Sequence, residues 1–224
     1  MAEKVFHPFE EDHRPEAVIG GAVRHHAASL PGDAAHPRLI PGIEGDSAER
    51  FRAAALGREL VVEVGPGKGL FLTRLAARHP SRLFLGVDVR LGFCLRTISR
   101  ADAAHLDNVW VAYGDARLML PALVKDGSAA EAYLLFPDPW WKRRHAPRRH
   151  GSVMAEVLAR VLQPGGLLVI KSDIEGYLET MRATFVASTL FDVAEALADL
   201  PRTDREDRIV PAGVPVFTAA FIRR

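Results

Sequence analysis

One stretch of the chain concentrates groups that do chemistry: Leu135-Phe136-Pro137-Asp138-Pro139-Trp140-Trp141-Lys142-Arg143-Arg144-His145-Ala146-Pro147-Arg148-Arg149-His150. An apolar run ends in one aspartate between two prolines, and two tryptophans and five Lys or Arg cations follow. A carboxylate, a stacking surface and a polycationic strip this close together suit chemistry on a nucleobase held by its phosphates. A basic run alone reads as a solvated loop behind a buried strand. The Pro-Asp-Pro-Trp turn argues against that reading, because it sets Asp138 at the carboxyl end of a strand, where open α/β sheets place their sites.

A second group is Glu63-Val64-Gly65-Pro66-Gly67-Lys68-Gly69. Glycines allow a tight turn and a close approach of backbone to ligand. A phosphate-binding P-loop needs Gly-Lys-Ser/Thr after a longer glycine spacing, and here Lys68 is followed by Gly69. A dinucleotide loop needs Gly-x-Gly-x-x-Gly, which the spacing Gly65, Gly67, Gly69 does not give. The spacing that fits is the Glu-x-Gly-x-Gly-x-Gly loop of S-adenosylmethionine-dependent methyltransferases. An acid at the strand end suits a cofactor whose methionine end carries an ammonium and a sulfonium, and would repel a pyrophosphate. Two further acids fall at comparable places. Asp88 ends Leu85-Gly86-Val87-Asp88 and could accept both ribose hydroxyls. Asp115, in Tyr113-Gly114-Asp115-Ala116, could accept from the adenine amino group, cap the helix that follows, or do both.

These acids need strands behind them. Leu60–Val64, Leu83–Val87, Val109–Ala112, Tyr133–Phe136 and Leu167–Ile170 read as strands. Between them Leu70–Arg78, Leu91–Ala104, Arg117–Lys125, Ser152–Leu162 and Tyr177–Ser188 have helical periodicity. The alternation predicts an α/β fold with a parallel sheet covered by helices on both faces. Gln163-Pro164-Gly165-Gly166 reads as a helix stop before the fifth strand. After Phe191 the alternation ends, and Val214–Ile222 is expected as a last, antiparallel strand. Residues 1–57 lack a sustained period, so an irregular N-terminal arm with a short helix around Ala48–Leu56 is expected, followed by one domain over 58–224. The arm's five histidines (His7, His13, His25, His26, His36) show no metal-ligand spacing, and no metal is expected.

Composition bounds the rest. The chain has 224 residues, 48% of them hydrophobic, and a net charge of +1, so nucleic-acid binding must come from local clustering of cations. The single cysteine, Cys94, excludes an intramolecular disulfide and a multi-cysteine zinc site, and its apolar surroundings predict a reduced core thiol. The N-terminus has no apolar signal-peptide core and no run has the length of a membrane span. A soluble, cytoplasmic protein without membrane contact is expected.

With these motifs in hand, the chain resembles the bacterial tRNA (guanine-N7)-methyltransferases over roughly residues 60–224. The most specific element is Phe136-Pro137-Asp138-Pro139-Trp140-x-Lys142 with the basic residues behind it. Lys171-Ser172-Asp173 is a second element, and Thr203-Asp204-Arg205-Glu206 with Gly213-x-Pro215-Val216 and Phe221 is a third. The resemblance implies a Rossmann-like class I methyltransferase fold with an antiparallel last strand. It implies S-adenosylmethionine bound by Glu63, Gly65, Gly67, Asp88, Asp115 and Asp138, and a target nucleotide bound by Lys142, Asp173, Thr203, Asp204, Arg205 and Glu206. The family's usual substrate is the guanosine at position 46 of the tRNA variable loop. Asp88 stands where the family more often has Glu, which keeps the carboxylate. Asp138 is then the expected catalytic carboxylate, acting through charge, with Arg143, Arg144, Arg148 and Arg149 on RNA phosphates. Two other functions are compatible with the same motifs: methylation of another nucleobase, and a non-catalytic RNA-binding partner that retains the fold.

Overall fold

The computed structural model describes residues 36–137, 146–195, 197 and 199–224, the side chains of 146–151 excepted. Asp138, Lys142, Arg143, Arg144 and the side chains of Arg148 and Arg149 therefore lie outside the described residues, as does 1–35 of the expected arm.

Five of the strands are the apolar runs of the sequence: β2 (Leu60–Val64), β3 (Leu83–Asp88), β4 (Val109–Tyr113), β5 (Ala129–Leu135) and β6 (Leu162–Ser172). Strands buried on both faces have no need to alternate polar and apolar residues, so they read as near-continuous apolar runs. The two cores show this directly. Val62, Leu85 and Leu134 face one cluster, while their neighbours Val61, Phe84 and Tyr133 face the other. Helices α2 (Leu70–Arg78) and α3 (Leu91–Ala103) cover the Tyr133 side, and α4 (Ala116–Leu123), α5 (Ala146–Val161) and α6 (Glu175–Ala187) cover the opposite side.

Among the described residues these five strands join β1 (Leu39–Ile40), β7 (Phe191–Ala194) and β8 (Phe217–Arg223) in one eight-stranded sheet, in the order β1-β4-β3-β2-β5-β6-β8-β7. From β2 the chain runs outward through β3 and β4, then returns to lay β5 and β6 on the other side of β2. That reversal is the topological switch point, and the crevice at the carboxyl ends of β2 and β5 is where such sheets bind ligands. All pairings from β1 to β6 are parallel. The strand β8 (Phe217–Arg223) is antiparallel to β6 and to β7 (Phe191–Ala194). The expected antiparallel last strand is thus present, inserted between β6 and an additional edge strand.

Two segments differ from the sequence reading. Residues 36–57 include an unexpected strand: Leu39–Ile40 forms β1, in register with Val111 and Ala112 of β4. The short helix expected around Ala48–Leu56 is present as α1 (Asp46–Ala55), whose Phe51 is fully buried with its ring 5.8 Å from that of Trp110. Burying one such ring contributes about 1.5–3 kcal/mol, which fixes this segment to the domain. The Gln163–Gly166 stretch lies inside β6: the ladder opens at Leu162 opposite Ala129, shifts, and resumes at Leu167 opposite Glu131, with Gly165 at φ +78°. Cys94 is buried, and burial pushes its thiol up to about 12, as a core cysteine requires. Among the described residues no helix is long and apolar enough to cross a membrane.

Candidate active site

Glu63 is the penultimate residue of β2 and is 2% exposed. Its Oε2 is buried with no hydrogen-bond partner among the described residues. Burial raises its carboxyl to about 8, and the charges of Asp204 and Asp88 add to the effect. A buried anion is disfavoured unless a countercharge meets it. Beside it Gly65 (φ +72°) and Gly67 (φ +58°) turn through the left-handed region. A Cβ at either would meet no atom of the described residues within 4 Å, so among them the space above the loop is open. At Gly69 the glycine is required by packing instead, since a Cβ there would lie 2.5 Å from Thr97.

The neighbouring acids hold this loop. Asp88, 3% exposed, accepts from the Gly67 backbone N–H through Oδ2 at 3.3 Å and from Arg90 N–H through Oδ1 at 2.9 Å. Arg90 Nε also donates to Oδ1, at 3.5 Å. A carboxylate has about four acceptor sites, so these three bonds leave capacity for a ribose hydroxyl. Thr97 Oγ1 donates to the Gly67 carbonyl at 3.2 Å. Asp115 is the N-cap of α4, accepting from Arg117 N–H at 2.9 Å, and it also pairs with the Arg117 guanidinium. The capping role read from the sequence is therefore present.

The third cluster comes from far along the chain. Thr203 and Glu206 form a reciprocal capping box ahead of α7 (Glu206–Ile209): Glu206 N–H donates to Thr203 Oγ1 at 3.0 Å, and Thr203 N–H donates to Glu206 Oε2 at 2.8 Å. Glu206 Oε1 pairs with Lys171 Nζ at 2.8 Å, and both side chains are buried. Asp204 accepts from Leu70 N–H at 3.2 Å, at the start of α2, and lies 3.4 Å from the Arg100 guanidinium. Arg205 reaches Asp173 and lies over the Phe136 ring, 5.7 Å from its centroid. The turn thus touches the cofactor loop through Asp204 and the ends of β5 and β6 through Arg205 and Glu206.

Two of the expected target-binding acids have partners within the protein. Asp204 turns to the glycine loop, where a carboxylate complements the partial positive charge of a helix N-terminus. Glu206 turns into the protein, with each oxygen already engaged. Arg100, Thr97 and Lys171 belong to the site although the sequence reading assigned them no role. The Thr-x-x-Glu spacing is a capping signature and could have announced the turn, whereas nothing local announces Arg100.

The site fits S-adenosylmethionine. A buried carboxylate with one oxygen unpartnered among the described residues, beside a glycine turn, is what a sulfonium and ammonium would complete. Glu63, Gly65 and Gly67 would hold that end, with Asp88 at the ribose. Gly67→Val puts a branched side chain into the open space at a φ such residues rarely adopt. Its cofactor affinity is expected to fall at least about tenfold, since the strain and the lost approach each act at the order of 1 kcal/mol. Isothermal titration measures this, and a near-wild-type circular dichroism melt separates it from misfolding.

The comparisons with known proteins agree with this geometry. The 16S rRNA methyltransferase KamB superposes with a TM-score of 0.61 over 83% of this chain and 98% of that one, at 15% identity. A SAM-dependent methyltransferase from Aquifex aeolicus gives a TM-score of 0.53 over 79% and 89% of the two chains, also at 15% identity. At such identities the likeness is one of fold, and the fold is that of the class I, S-adenosylmethionine-dependent methyltransferases. The family model described as "Putative methyltransferase" matches residues 57–219. A tRNA (guanine-N(7)-)-methyltransferase of Anaeromyxobacter dehalogenans is 35% identical over 78% of this chain and 90% of its own length. That of Paramagnetospirillum magneticum is 36% identical over 88% and 87%. The chain belongs to the tRNA (guanine-N7)-methyltransferase family.

Proposed function

We propose that this protein transfers the methyl group of S-adenosylmethionine to N7 of a guanosine in tRNA, at position 46 of the variable loop. The observation that carries the reading is the buried Glu63 carboxylate, its Oε2 without a partner among the described residues, beside the glycine turn, in a chain of this family. When bound, the cofactor supplies an electrophilic methyl on a sulfonium. Guanine N7 has an in-plane lone pair and no proton, so the protein needs no general base. Its work is alignment, which is catalysis by proximity and orientation.

In this reading Glu63 and the Gly65–Gly67 backbone fix the methionine end, Asp88 the ribose and Asp115 the adenine. Asp138 follows the positive charge as it passes from sulfur to the guanine ring. Lys142, with Arg143, Arg144, Arg148 and Arg149, sets the RNA phosphates without reading sequence. Thr203 holds the C-terminal turn that faces the target. N7 of paired RNA lies in a deep, narrow groove, so the base enters unpaired.

Asp138→Asn should keep the fold and much of the cofactor affinity but lose about 100-fold or more in turnover, the scale of removing one electrostatic stabiliser. The wild-type pH–rate profile should lack an ascending limb from a base near neutrality. The deciding experiment is nucleoside mass spectrometry of unmodified tRNA after incubation with protein and labelled cofactor. Label on 7-methylguanosine supports the reading, and label on an N2-, N4- or N6-methyl nucleoside overturns it.

A further inference from the structure

We propose that Arg205 occupies the guanine subsite of the RNA-free protein, its guanidinium standing where the Watson–Crick edge of the target guanine docks. The inference rests on the tRNA reading above and names the contacts that would receive the base. Of the acids in the expected target-binding set, Asp173 and Glu206 are the two that could accept from guanine N1–H and its amino group. Glu206 is 5% exposed and bonded at both oxygens, to Lys171 Nζ and to Thr203 N–H. Asp173 differs. It follows the last residue of β6, its side chain is 16% exposed, and it is bound by Arg205, which is itself 44% exposed.

The chemistry of that partner is informative. Guanine N1–H, C2 and the 2-amino group form a planar guanidine unit with adjacent N–H donors. An arginine side chain presents the same planar fork to a carboxylate and stacks on aromatic faces in the same way. Arg205 donates to Asp173 from Nη2 to Oδ2, while its Cζ lies 5.7 Å from the Phe136 centroid, within cation–π range. Phe136 sits at φ +52°, a conformation that bulky residues rarely take, and its N–H is held by the Lys171 carbonyl at 2.8 Å. Backbone strain of this kind gathers at ligand clamps. The ring, the carboxylate and the guanidinium all lie at the carboxyl ends of β5 and β6, beside the switch point.

The backbone of Arg205 does not have to move for its side chain to leave. The Thr203–Glu206 capping box, the Glu206–Lys171 pair and the Asp204–Leu70 bond hold the turn on either side of it. A half-exposed ion pair is weak, so a stacking base can displace it. Arg205 then acts as a specificity device: the subsite opens to a group that can replace a planar double donor on Asp173.

Steady-state kinetics on unmodified tRNA test this. Arg205→Ala should lower KM for tRNA by about two- to fivefold, the fold-change equivalent of a half-exposed pair, with the effect on KM rather than kcat. Methylguanidinium should inhibit Arg205→Ala competitively with tRNA and at lower concentration than it inhibits the wild type. Adding Asp173→Asn should abolish that sensitivity. Arg205→Lys keeps the charge without the fork and should resemble Arg205→Ala. A raised KM with a shallower salt dependence in Arg205→Ala would make the arginine a phosphate contact and overturn the proposal. So would a lysine variant indistinguishable from wild type towards methylguanidinium. The wild-type product nucleoside tests the N7 reading separately, because methylguanidinium competition reports the Asp173 contact whichever atom is methylated.

Discussion

Glu63→Gln is expected to weaken S-adenosylmethionine binding by about 100-fold or more. The substitution keeps shape and one acceptor but removes the charge that meets the cofactor's cationic end, and losing one partner of a buried pair costs about 3–5 kcal/mol. The pH dependence follows from the same group. Burial raises the Glu63 carboxyl from 4.5 to about 8, so at neutral pH the cofactor-free site holds it protonated. A cation binding beside it favours the ionised form, and binding must release a proton. Below pH about 8 wild-type affinity should therefore rise with pH, approaching tenfold per unit. The amino group of the ligand titrates in the same range, near about 7.7–8.0 in ordinary peptides, so Glu63→Gln is the control that isolates the protein's share. Titration calorimetry in buffers of different ionisation enthalpy reads the proton directly. Equal affinity of both proteins at every pH, with no proton released, would remove Glu63 from the cofactor site.

The same shift sets how the cofactor-free protein responds to pH. A carboxyl raised on folding contributes stability that is fully present below its unfolded value, 4.5, and is lost as pH rises through about 8. Bound cofactor should restore stability most at the alkaline end of that window.

Much of this site was legible because its acids end strands that announce themselves. β2 begins at Leu60 and stops at Val64 as the sequence predicts, since a strand buried on both faces is apolar throughout and Gly65 ends it. Asp88 lies at the last residue of β3 for the same reason. The edges were less legible. β1 is two residues long, and a strand that short has no period. β7, Phe191-Asp192-Val193-Ala194, is half-exposed and gains its identity only by pairing with β8. The destination of Asp204 was illegible in principle. Its partner Leu70 lies 134 residues away, and no local spacing encodes a contact that only the closed sheet creates. The resemblance grouped Asp204 with the target-binding residues, and in the structure it accepts from Leu70 N–H, just after the glycine loop.

The Lys171–Glu206 pair carries the largest expected effect on stability. Lys171 is 8% exposed and Glu206 is 5% exposed, so neither charge has water to turn to. Glu206→Ala strands the Lys171 ammonium and also leaves the Thr203 N–H without its acceptor. A loss of about 3–5 kcal/mol is expected, and at about 2–4 °C per kcal/mol for a domain of this size the thermal midpoint should drop by roughly 10 °C. Desolvation opposes the pair even when it is intact, so removing both charges should be far milder than removing one. The double variant Lys171→Met, Glu206→Leu is therefore expected to recover much of the lost midpoint. It should not recover RNA methylation, because the leucine cannot rebuild the capping box that holds the Thr203–Glu206 turn, and with it Asp204, against the start of α2. A melt of Glu206→Ala within about 1 kcal/mol of wild type, the scale of an exposed pair, would mean the turn opens to water. The pair would then be neither buried nor structural in solution. A double variant with restored stability and restored activity would instead show that the turn positions itself by packing alone.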